Sequence, residues 1–344
     1  MQVIIPCSGR SSRYPTTRPK FLLTMPDGRP MFMHAADYYY THHPITFVVV
    51  EEHCKLYGAD DAIKNAYGDT VNIVVLPDFT NGPADTVYQT VKDWNDTAFL
   101  SKDCDGFFDH MSAVDGNVVA TIDLQQYPQL RNIAAKSFVI SEDGLIRNIV
   151  EKHVVSSHIC VGAYGFSSSK RYSECYQHIA ALAKQEIFIS HVIKYDMDHN
   201  SSVYKSVAAK NYVDCGTYED FIHNSKNHAT IFSDIDGVVF KNQSLYFKNN
   251  YTIEPVPNPT AVQFLLKKQA DGATIVFTTS RPARYSTITE NALDKLGFTQ
   301  YRILYDLPHA PRLLINDVST TNPWPSASAI NVPRDDDNFW KSML

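Results

Sequence analysis

The sequence predicts an α/β fold arranged as two successive domains, and three observations support this prediction. Short apolar segments rich in β-branched residues alternate with helix-like stretches in the first part of the chain. A second series of the same kind begins at residue 229. The length of 344 residues also suits two domains better than one. Alternation of this kind is typical of a sheet that helices cover on both faces.

In the first domain, apolar segments predict strands at 2–5, 45–50, 72–76, 97–100 and 117–122. Helices are expected between several of them, at 30–41 and 84–94. From about 130 to 166, three strand-like segments joined by short turns predict antiparallel strands added to the sheet. Two further helices are expected near 168–183 and 188–197. The first sheet should therefore be mixed.

The polar stretch at 223–228 predicts the linker, which places the domains at 1–226 and 229–344. The second domain should contain a smaller α/β sheet that begins with a strand at 229. The elements expected after it are a helix at about 259–270, a strand at 274–278, a helix at about 284–296 and strands near 301–305 and 312–316. The stretch from 319 onwards should wrap the surface of this domain.

Composition narrows the classes of partner. A net charge of −6 argues against nucleic acid, because proteins that bind it usually carry a basic face. Six cysteines without CxxC spacing favour reduced thiols in a cytoplasmic protein over a disulfide framework or a zinc site. We expect neither a secretory signal nor a membrane segment, since no apolar run approaches about 18 residues. The oligomeric state is open, and a homo-oligomer is compatible with the sequence.

A loop of small and basic residues follows the first strand. It runs from Cys7 to Arg13 and can direct backbone N–H groups at phosphate oxygens, with Ser8, Gly9 and Arg10 as nucleotide-binding candidates. Arg13 and, further on, Lys20 supply positive charge where a triphosphate would lie. Taken alone, such a loop is equally compatible with a solvated polar turn.

With the Pro-Lys pair that follows it, this segment resembles the signature of the sugar-phosphate nucleotidyltransferases, of the glucose-1-phosphate thymidylyltransferase type. Ser11 departs from the pattern, since the family has a second loop glycine there; a serine fits if its φ is negative. The resemblance continues in order over about 220 residues. It implies a Rossmann-like nucleotidyltransferase domain with a mixed sheet.

Five later segments extend the resemblance. NGPADTV looks like the loop against the nucleobase, with Gly82 and Pro83 as nucleotide-binding residues. KDCDGFF and VDCGT look like the two metal-binding segments of the family. EKH and GAYGF look like the acceptor-binding segments and supply four candidates, Glu151, Lys152, Gly162 and Tyr164.

The resemblance implies a magnesium-dependent reaction. Asp103 and Asp214 would hold Mg²⁺, which prefers oxygen ligands and accepts substrate phosphates beside them. Arg13 and Lys20 would act as the catalytic cations on the triphosphate. Lys152 would bind the acceptor phosphate, with Glu151 available for an acceptor hydroxyl. For Asp105, a metal role and a turn position before Gly106 are equally open.

A second motif, IFSDIDGVVF, resembles the haloacid-dehalogenase-type phosphatases and implies a smaller Rossmannoid domain of that kind. Asp234 matches the nucleophile and Asp236 the acid and base; with Asp317 they would also hold Mg²⁺. Asn316 stands where an acid is common. Thr279 and Arg312 are the phosphate-binding candidates, with Lys295 as an alternative cation.

The leading functional interpretation is a bifunctional enzyme. Its first domain would transfer a nucleotidyl group from an NTP to a sugar phosphate or similar phosphorylated small molecule, and its phosphatase would act on a pathway phosphate ester. The resemblance connects such products with capsule and other surface-glycan synthesis. Two alternatives are a phosphatase with a degenerate nucleotide-binding module and a non-catalytic nucleotide-binding protein. The base (CTP, UTP, dTTP or GTP) and the acceptor are open.

Overall fold

A computed structural model describes residues 1–14, 17–111, 115–242, 251–317 and 326–343. The chain divides into two compact units, Met1–Phe221 and Ile222–Leu344. None of the helices in the described part of the chain has the length and apolar character needed to cross a membrane.

The first unit is built on one large sheet and a separate two-stranded sheet. Its strands are β1 (Gln2–Pro6), β2 (Ile45–Val50), β3 (Asn72–Leu76), β4 (Phe99–Lys102), β5 (Gly106–Phe107), β6 (His110–Met111), β7 (Val118–Asp123), β8 (Ser137–Glu142), β9 (Leu145–Glu151), β10 (His158–Phe166), β11 (Lys205–Lys210) and β12 (Val213–Asp214). Its helices are α1 (Met31–Tyr40), α2 (Glu51–Tyr57), α3 (Ala59–Tyr67), α4 (Pro83–Val91), α5 (Ser169–Ala180), α6 (Ile189–Asn200) and α7 (Tyr218–Asn227).

The strand order is β3-β2-β1-β4-β10-β7-β11-β9-β8, with β6 paired to β11. The first four strands in this order run parallel, whereas β10 is antiparallel to both β4 and β7. Strand β2 is buried along its whole length, as expected for a central strand of β-branched residues. Helices α4, α5 and α6 pack together and share one apolar core with the sheet. The prediction of a mixed α/β sheet is therefore confirmed.

Most of the predicted linker at 223–228 is helical, because α7 continues through it to Asn227. Its polar side chains are half-buried or exposed, as expected on the outer face of a helix. Glu219 and Asp220 lie in the first turn, where negative charge is favourable, and the buried Phe221 anchors the helix. The division between the units falls within this helix.

The second unit has a three-stranded parallel sheet in the order β13 (Thr230–Asp234), β14 (Thr274–Thr278) and β15 (Tyr301–Leu304). Its helices are α8 (Pro259–Ala270), α9 (Ser286–Lys295) and α10 (Asp337–Lys341). A core that includes Ile235, Phe240 and Phe277 lies between the sheet and the helices.

The strand predicted at 312–316 was wrong. This segment forms no ladder within the described ranges, and Leu313 and Ile315 are 83% and 86% exposed. An apolar run forms a strand only if a neighbouring strand satisfies its backbone hydrogen bonds.

Candidate active site

The carboxyl ends of β1 and β4 open into a cavity of about 640 Å³ in the first unit. These two strands are parallel neighbours, so the loops that follow them meet at the same edge of the sheet. The cavity is lined by every candidate residue that the first motif and the five later segments supplied: Ser8, Gly9, Arg10, Arg13, Lys20, Gly82, Pro83, Asp103, Glu151, Lys152, Gly162, Tyr164 and Asp214.

The loop after β1 is fixed by its own side chains. Ser8 shares a hydrogen bond of 2.7 Å with Thr86 in α4. Ser11 does not meet the condition of a negative φ: its φ is +50°, in the left-handed region. The backbone N–H of Lys20 donates to Ser11 Oγ over 3.1 Å, a bond that glycine could not make and that offsets part of the strain.

Gly82 is required by a close approach of two loops. Its φ is +97°, and a Cβ there would lie 2.5 Å from Glu186 Cγ and 2.9 Å from the Ile187 carbonyl oxygen. Pro83 follows as the first residue of α4, a position where its missing N–H costs nothing. Gly82 and Pro83 thus bring the segment at 186–187 against the cavity.

The carboxylate that meets Asp214 is Asp105. Strand β5 pairs with β12 and sets Asp214 opposite Gly106. A Cβ built on Gly216 would lie 3.1 Å from Asp214 Oδ1 and 3.5 Å from Asp105 Oδ2, so both carboxylates border the same small space. Asp103 borders Gly162 on the same cavity, with its Oδ2 2.6 Å from the position of a Cβ on that glycine.

Each of these two converging carboxylates has a lysine partner. Lys20 Nζ donates a short hydrogen bond to Asp105, and Lys136 Nζ forms an ion pair with Asp214. Burial opposes ionisation of Asp105, but Lys20 holds the pKa of this carboxyl well below its usual range. For Asp103, burial and then the charge of Asp105 raise the pKa to about 6. Lys136 was missed in the sequence, where no local motif marks it.

A buried lysine, Lys102, stabilises the loop at 103–106 that carries the acidic residues. Lys102 is 2% exposed, and its Nζ donates to the Asp103 carbonyl oxygen over 2.7 Å and to the Gly106 carbonyl oxygen. Burial lowers the pKa of Lys102. Because its two acceptors lie on either side of Asp105, Lys102 fixes the turn that carries this carboxylate.

The far wall of the cavity carries the predicted acceptor residues. Glu151 accepts hydrogen bonds from the hydroxyls of Ser137 and Ser190, the latter over 2.6 Å. Lys152 has a φ of +53°, and its ammonium lies 3.9 Å from the centre of the Phe188 ring. An ammonium held against an aromatic face is available to an anion in the cavity.

The donor set suits magnesium, although the described residues contain no group of three or more His, Cys, Asp or Glu side chains placed to hold a metal ion. Asp105 and Asp214 offer oxygen donors beside one small space. Asp214 Oδ2 is buried and has no partner in hydrogen-bond geometry, despite its contact with Lys136. Magnesium is commonly bound by one or two carboxylates together with substrate phosphates and water, so two are sufficient.

The second unit has its own cavity, of about 600 Å³. Of the residues predicted for phosphatase chemistry, Asp234, Asp236 and Arg312 line it. Thr279 lies beside it, with Oγ1 3.5 Å from Asp236 Oδ2. Asp317 is not among the residues that line this cavity and lies in the exposed segment at 311–317.

Two arginines of the second cavity were missed. The side chain of Arg281, 5% exposed, donates to both oxygens of Asp236 over 2.9 and 2.7 Å, and Arg334 also lines the cavity. Burial raises the pKa of Asp234, an effect that the charges of Arg312 and Arg334 oppose. Arg281 follows the predicted strand at 274–278 by three residues, which was the available sequence signal.

Comparison with known proteins assigns the fold. No protein-family model matches this sequence, and no curated protein is similar to it. Among solved structures, a nucleoside-diphosphate-sugar pyrophosphorylase from Vibrio cholerae RC9 matches with a TM-score of 0.54 at 17% identity, over 64% of this chain and 98% of that chain. The fold is that of sugar nucleotidyltransferases.

Two further structures agree. The inositol-1-phosphate CTP transferase of T. maritima matches with a TM-score of 0.51 at 14% identity, over 64% of this chain and 90% of its own. A protein of Bacillus anthracis assigned as a glucose-1-phosphate thymidylyltransferase, in complex with sucrose, gives 0.50 at 18% identity, over 65% of this chain and 93% of its own. At these identities the likeness concerns the fold.

Proposed function

We propose that the first unit is a magnesium-dependent nucleotidyltransferase, which joins an NTP to a sugar phosphate or similar phosphorylated small molecule and releases pyrophosphate. One observation carries the proposal: a single cavity joins a phosphate loop, the basic side chains of Arg13, Lys20 and Lys152, and two converging carboxylates. The shared fold of the solved nucleotidyltransferases supports it.

The chain's own residues would position two anions that repel each other. A phosphate oxygen of the acceptor attacks the α-phosphorus, and the bond to the bridging oxygen of the leaving pyrophosphate breaks. Arg13 and Lys20 would hold the triphosphate, and Lys152 the acceptor phosphate, so that the reacting atoms lie in line. Mg²⁺, held by Asp105 and Asp214 with Asp103 nearby, would supply positive charge against the phosphoryl oxygens.

The direct test is pyrophosphate release from four NTPs against a library of sugar and polyol phosphates, with and without Mg²⁺. We expect one NTP–acceptor pair to give Mg²⁺-dependent release, and Asp105→Asn to abolish it. Asp198→Asn is the control, because Asp198 only pairs with Lys194 on an exposed helix face. NTP binding without release from any pair would favour a non-catalytic nucleotide-binding protein.

We further propose that the second unit, with predicted limits of 229–344, is a phosphatase of the haloacid-dehalogenase type. Supporting this, Asp234 lies at the carboxyl end of β13 on a cavity that also holds Asp236 and arginines. Asp234 would attack the phosphorus of a monoester, the alcohol would leave with a proton from Asp236, and water would then hydrolyse the aspartyl phosphate.

Hydrolysis of p-nitrophenyl phosphate and of a panel of sugar phosphates tests this second activity. Asp234→Asn should abolish phosphate release, whereas Asp271→Asn, an exposed carboxylate at the end of α8, should not. A folded wild-type chain that hydrolyses none of these esters would contradict the proposal.

A further inference from the structure

The C-terminal tail of the second unit, residues 326–343, contacts the loop that carries the two aspartates. The backbone N–H of Asp335 donates to the Gly237 carbonyl oxygen over 2.9 Å. The Asp335 carboxylate accepts from the backbone N–H of Asn242 over 2.8 Å. These two bonds set the preceding residue, Arg334, in the wall of the second cavity.

The tail is anchored again further along. Thr260 Oγ1 donates to Asp337 Oδ1 over 3.2 Å at the start of α8. Trp340 is 8% exposed and packs on Phe264, with ring centres 5.2 Å apart. A buried aromatic contact on one side and backbone hydrogen bonds on the other fix the stretch between them, so Arg334 is held at a defined place.

Because Gly237 has no side chain, the aliphatic part of the Arg334 side chain can pack against it. A Cβ on Gly237 would lie 2.8 Å from Arg334 Cγ and 3.4 Å from its Cδ. The φ of Gly237 is +91°, which also favours glycine. The glycine of the Asp-x-Asp-Gly motif thus allows the tail's side chain to pass over the loop toward Asp234.

The charges of the cavity leave two guanidinium groups available. Arg281 is already bound to both oxygens of Asp236. Within the described ranges, neither Arg312 nor Arg334 takes part in an ion pair. Two cations that line one cavity, neither of them in an ion pair with a described carboxylate, suit a ligand that brings two negative charges of its own.

We infer that Arg334 is a phosphate-binding residue of the second cavity, supplied by the C-terminal tail, and that it holds the dianionic end of a phosphate monoester together with Arg312. This inference deepens the phosphatase proposal and rests on it for the class of ligand. Lys295, the alternative cation in the sequence, pairs with Glu254 and lies outside the cavity.

Arginine-selective labelling of the full chain tests the assignment directly. Phenylglyoxal is applied with Mg²⁺, with and without inorganic phosphate, and the labelled peptides are identified by mass spectrometry. We expect phosphate to slow the labelling of Arg334 severalfold. Arg302, exposed on β15 and outside the cavity, should be labelled at the same rate in both conditions.

Kinetics provide the second measurement. Arg334→Gln should raise KM for p-nitrophenyl phosphate and the inhibition constant of inorganic phosphate about tenfold, as expected for one charge-assisted hydrogen bond. Arg334→Lys should recover part of the loss. Lys341→Gln alters the same tail outside the cavity and should change neither constant.

The two measurements separate this inference from the phosphatase proposal. Labelling of Arg334 that phosphate does not slow, with an unchanged inhibition constant in Arg334→Gln, would overturn the inference even if the chain hydrolyses esters. Protection of Arg334 in a chain that hydrolyses none would support the inference and reject the phosphatase activity.

Discussion

The two cavities arrange their charges in opposite ways. In the first, the converging carboxylates are already matched with lysines, Lys20 with Asp105 and Lys136 with Asp214. Because the charges of these carboxylates and lysines already offset each other, binding of an anion alone should be only weakly favourable. A cation that replaces the lysines at the carboxylates frees the lysines for phosphates, so metal and nucleotide should bind together.

In the second cavity the balance leaves positive charge to spare. Arg281 forms an ion pair with Asp236. Among the described lining residues, this leaves Asp234 as the one further carboxylate for Arg312 and Arg334. An anion can therefore bind without displacing an internal partner. We therefore expect the first unit to bind a metal ion and a nucleotide together, whereas the second should bind a phosphate group without a second ligand.

The largest expected effect is a separation of the two activities. Asp214→Asn removes a proposed metal ligand and should lower pyrophosphate release by about 10²–10³-fold while phosphomonoester hydrolysis is retained. Asp234→Asn should show the reverse. Both activities are measured on the same preparations, with circular dichroism as a control for folding. Loss of both activities in either folded variant would show that the cavities do not work separately.

The next effect is on stability. Asp236→Asn leaves the buried Arg281 guanidinium without its counter-charge, and we expect a loss of about 2–3 kcal/mol in the free energy of unfolding. This is below the value for a fully buried pair, because the Asp236 side chain is 31% exposed. Urea denaturation of wild type, Asp236→Asn and the exposed control Asp271→Asn measures it. Equal midpoints for all three would mean that the pair contributes nothing.

A smaller effect concerns the space beside Asp103. Gly162 and Gly144 have nearly the same φ, +76° and +74°, so alanine strains the backbone equally at both. Only at Gly162 would the new Cβ collide with Asp103; Gly144 has nothing within 4 Å. Gly162→Ala should therefore lose about tenfold more pyrophosphate release than Gly144→Ala. Equal losses would leave backbone strain as the whole effect.

The smallest effect is a pH dependence in the first unit. The pKa of Asp103 is raised to about 6, above the ordinary value of 3.8, so the folded chain binds this proton more tightly than the unfolded chain. Its contribution to stability is full below about pH 4 and is lost as the pH rises through 6. In EDTA, Asp103→Asn should gain stability relative to wild type over this range. Urea denaturation at several pH values checks this, and a constant difference would argue against it.

Much of the fold could be predicted because its signals are local. The strands at 45–50, 72–76 and 274–278 were predicted with their observed limits, since each is a continuous β-branched run with polar residues at its ends. Pairing is not local, and the segment at 312–316 shows the consequence. Polarity alone was also misleading at 223–228, where solvent-facing helix and linker have the same composition.

The candidate sites could likewise be predicted only in part from the sequence. Motif residues that follow strands were brought together, because parallel strands end at one edge of the sheet. Lys136 and Arg334 reach their cavities from distant segments and carry no local mark. The sequence favoured Asp103 over Asp105 as the partner of Asp214, because the pairing of β5 with β12, which sets Asp105 beside Asp214, is not visible in the sequence.

The position of Gly216 beside Asp105 and Asp214 leads to an expectation about homologous sequences. Its backbone is outside the left-handed region, so the fold itself does not demand glycine. A Cβ there would instead occupy the space that Asp105 and Asp214 border. Among homologues, we therefore expect this glycine to be retained where the two carboxylates still bind their ligand. Homologues that have lost the reaction should tolerate other residues at this position.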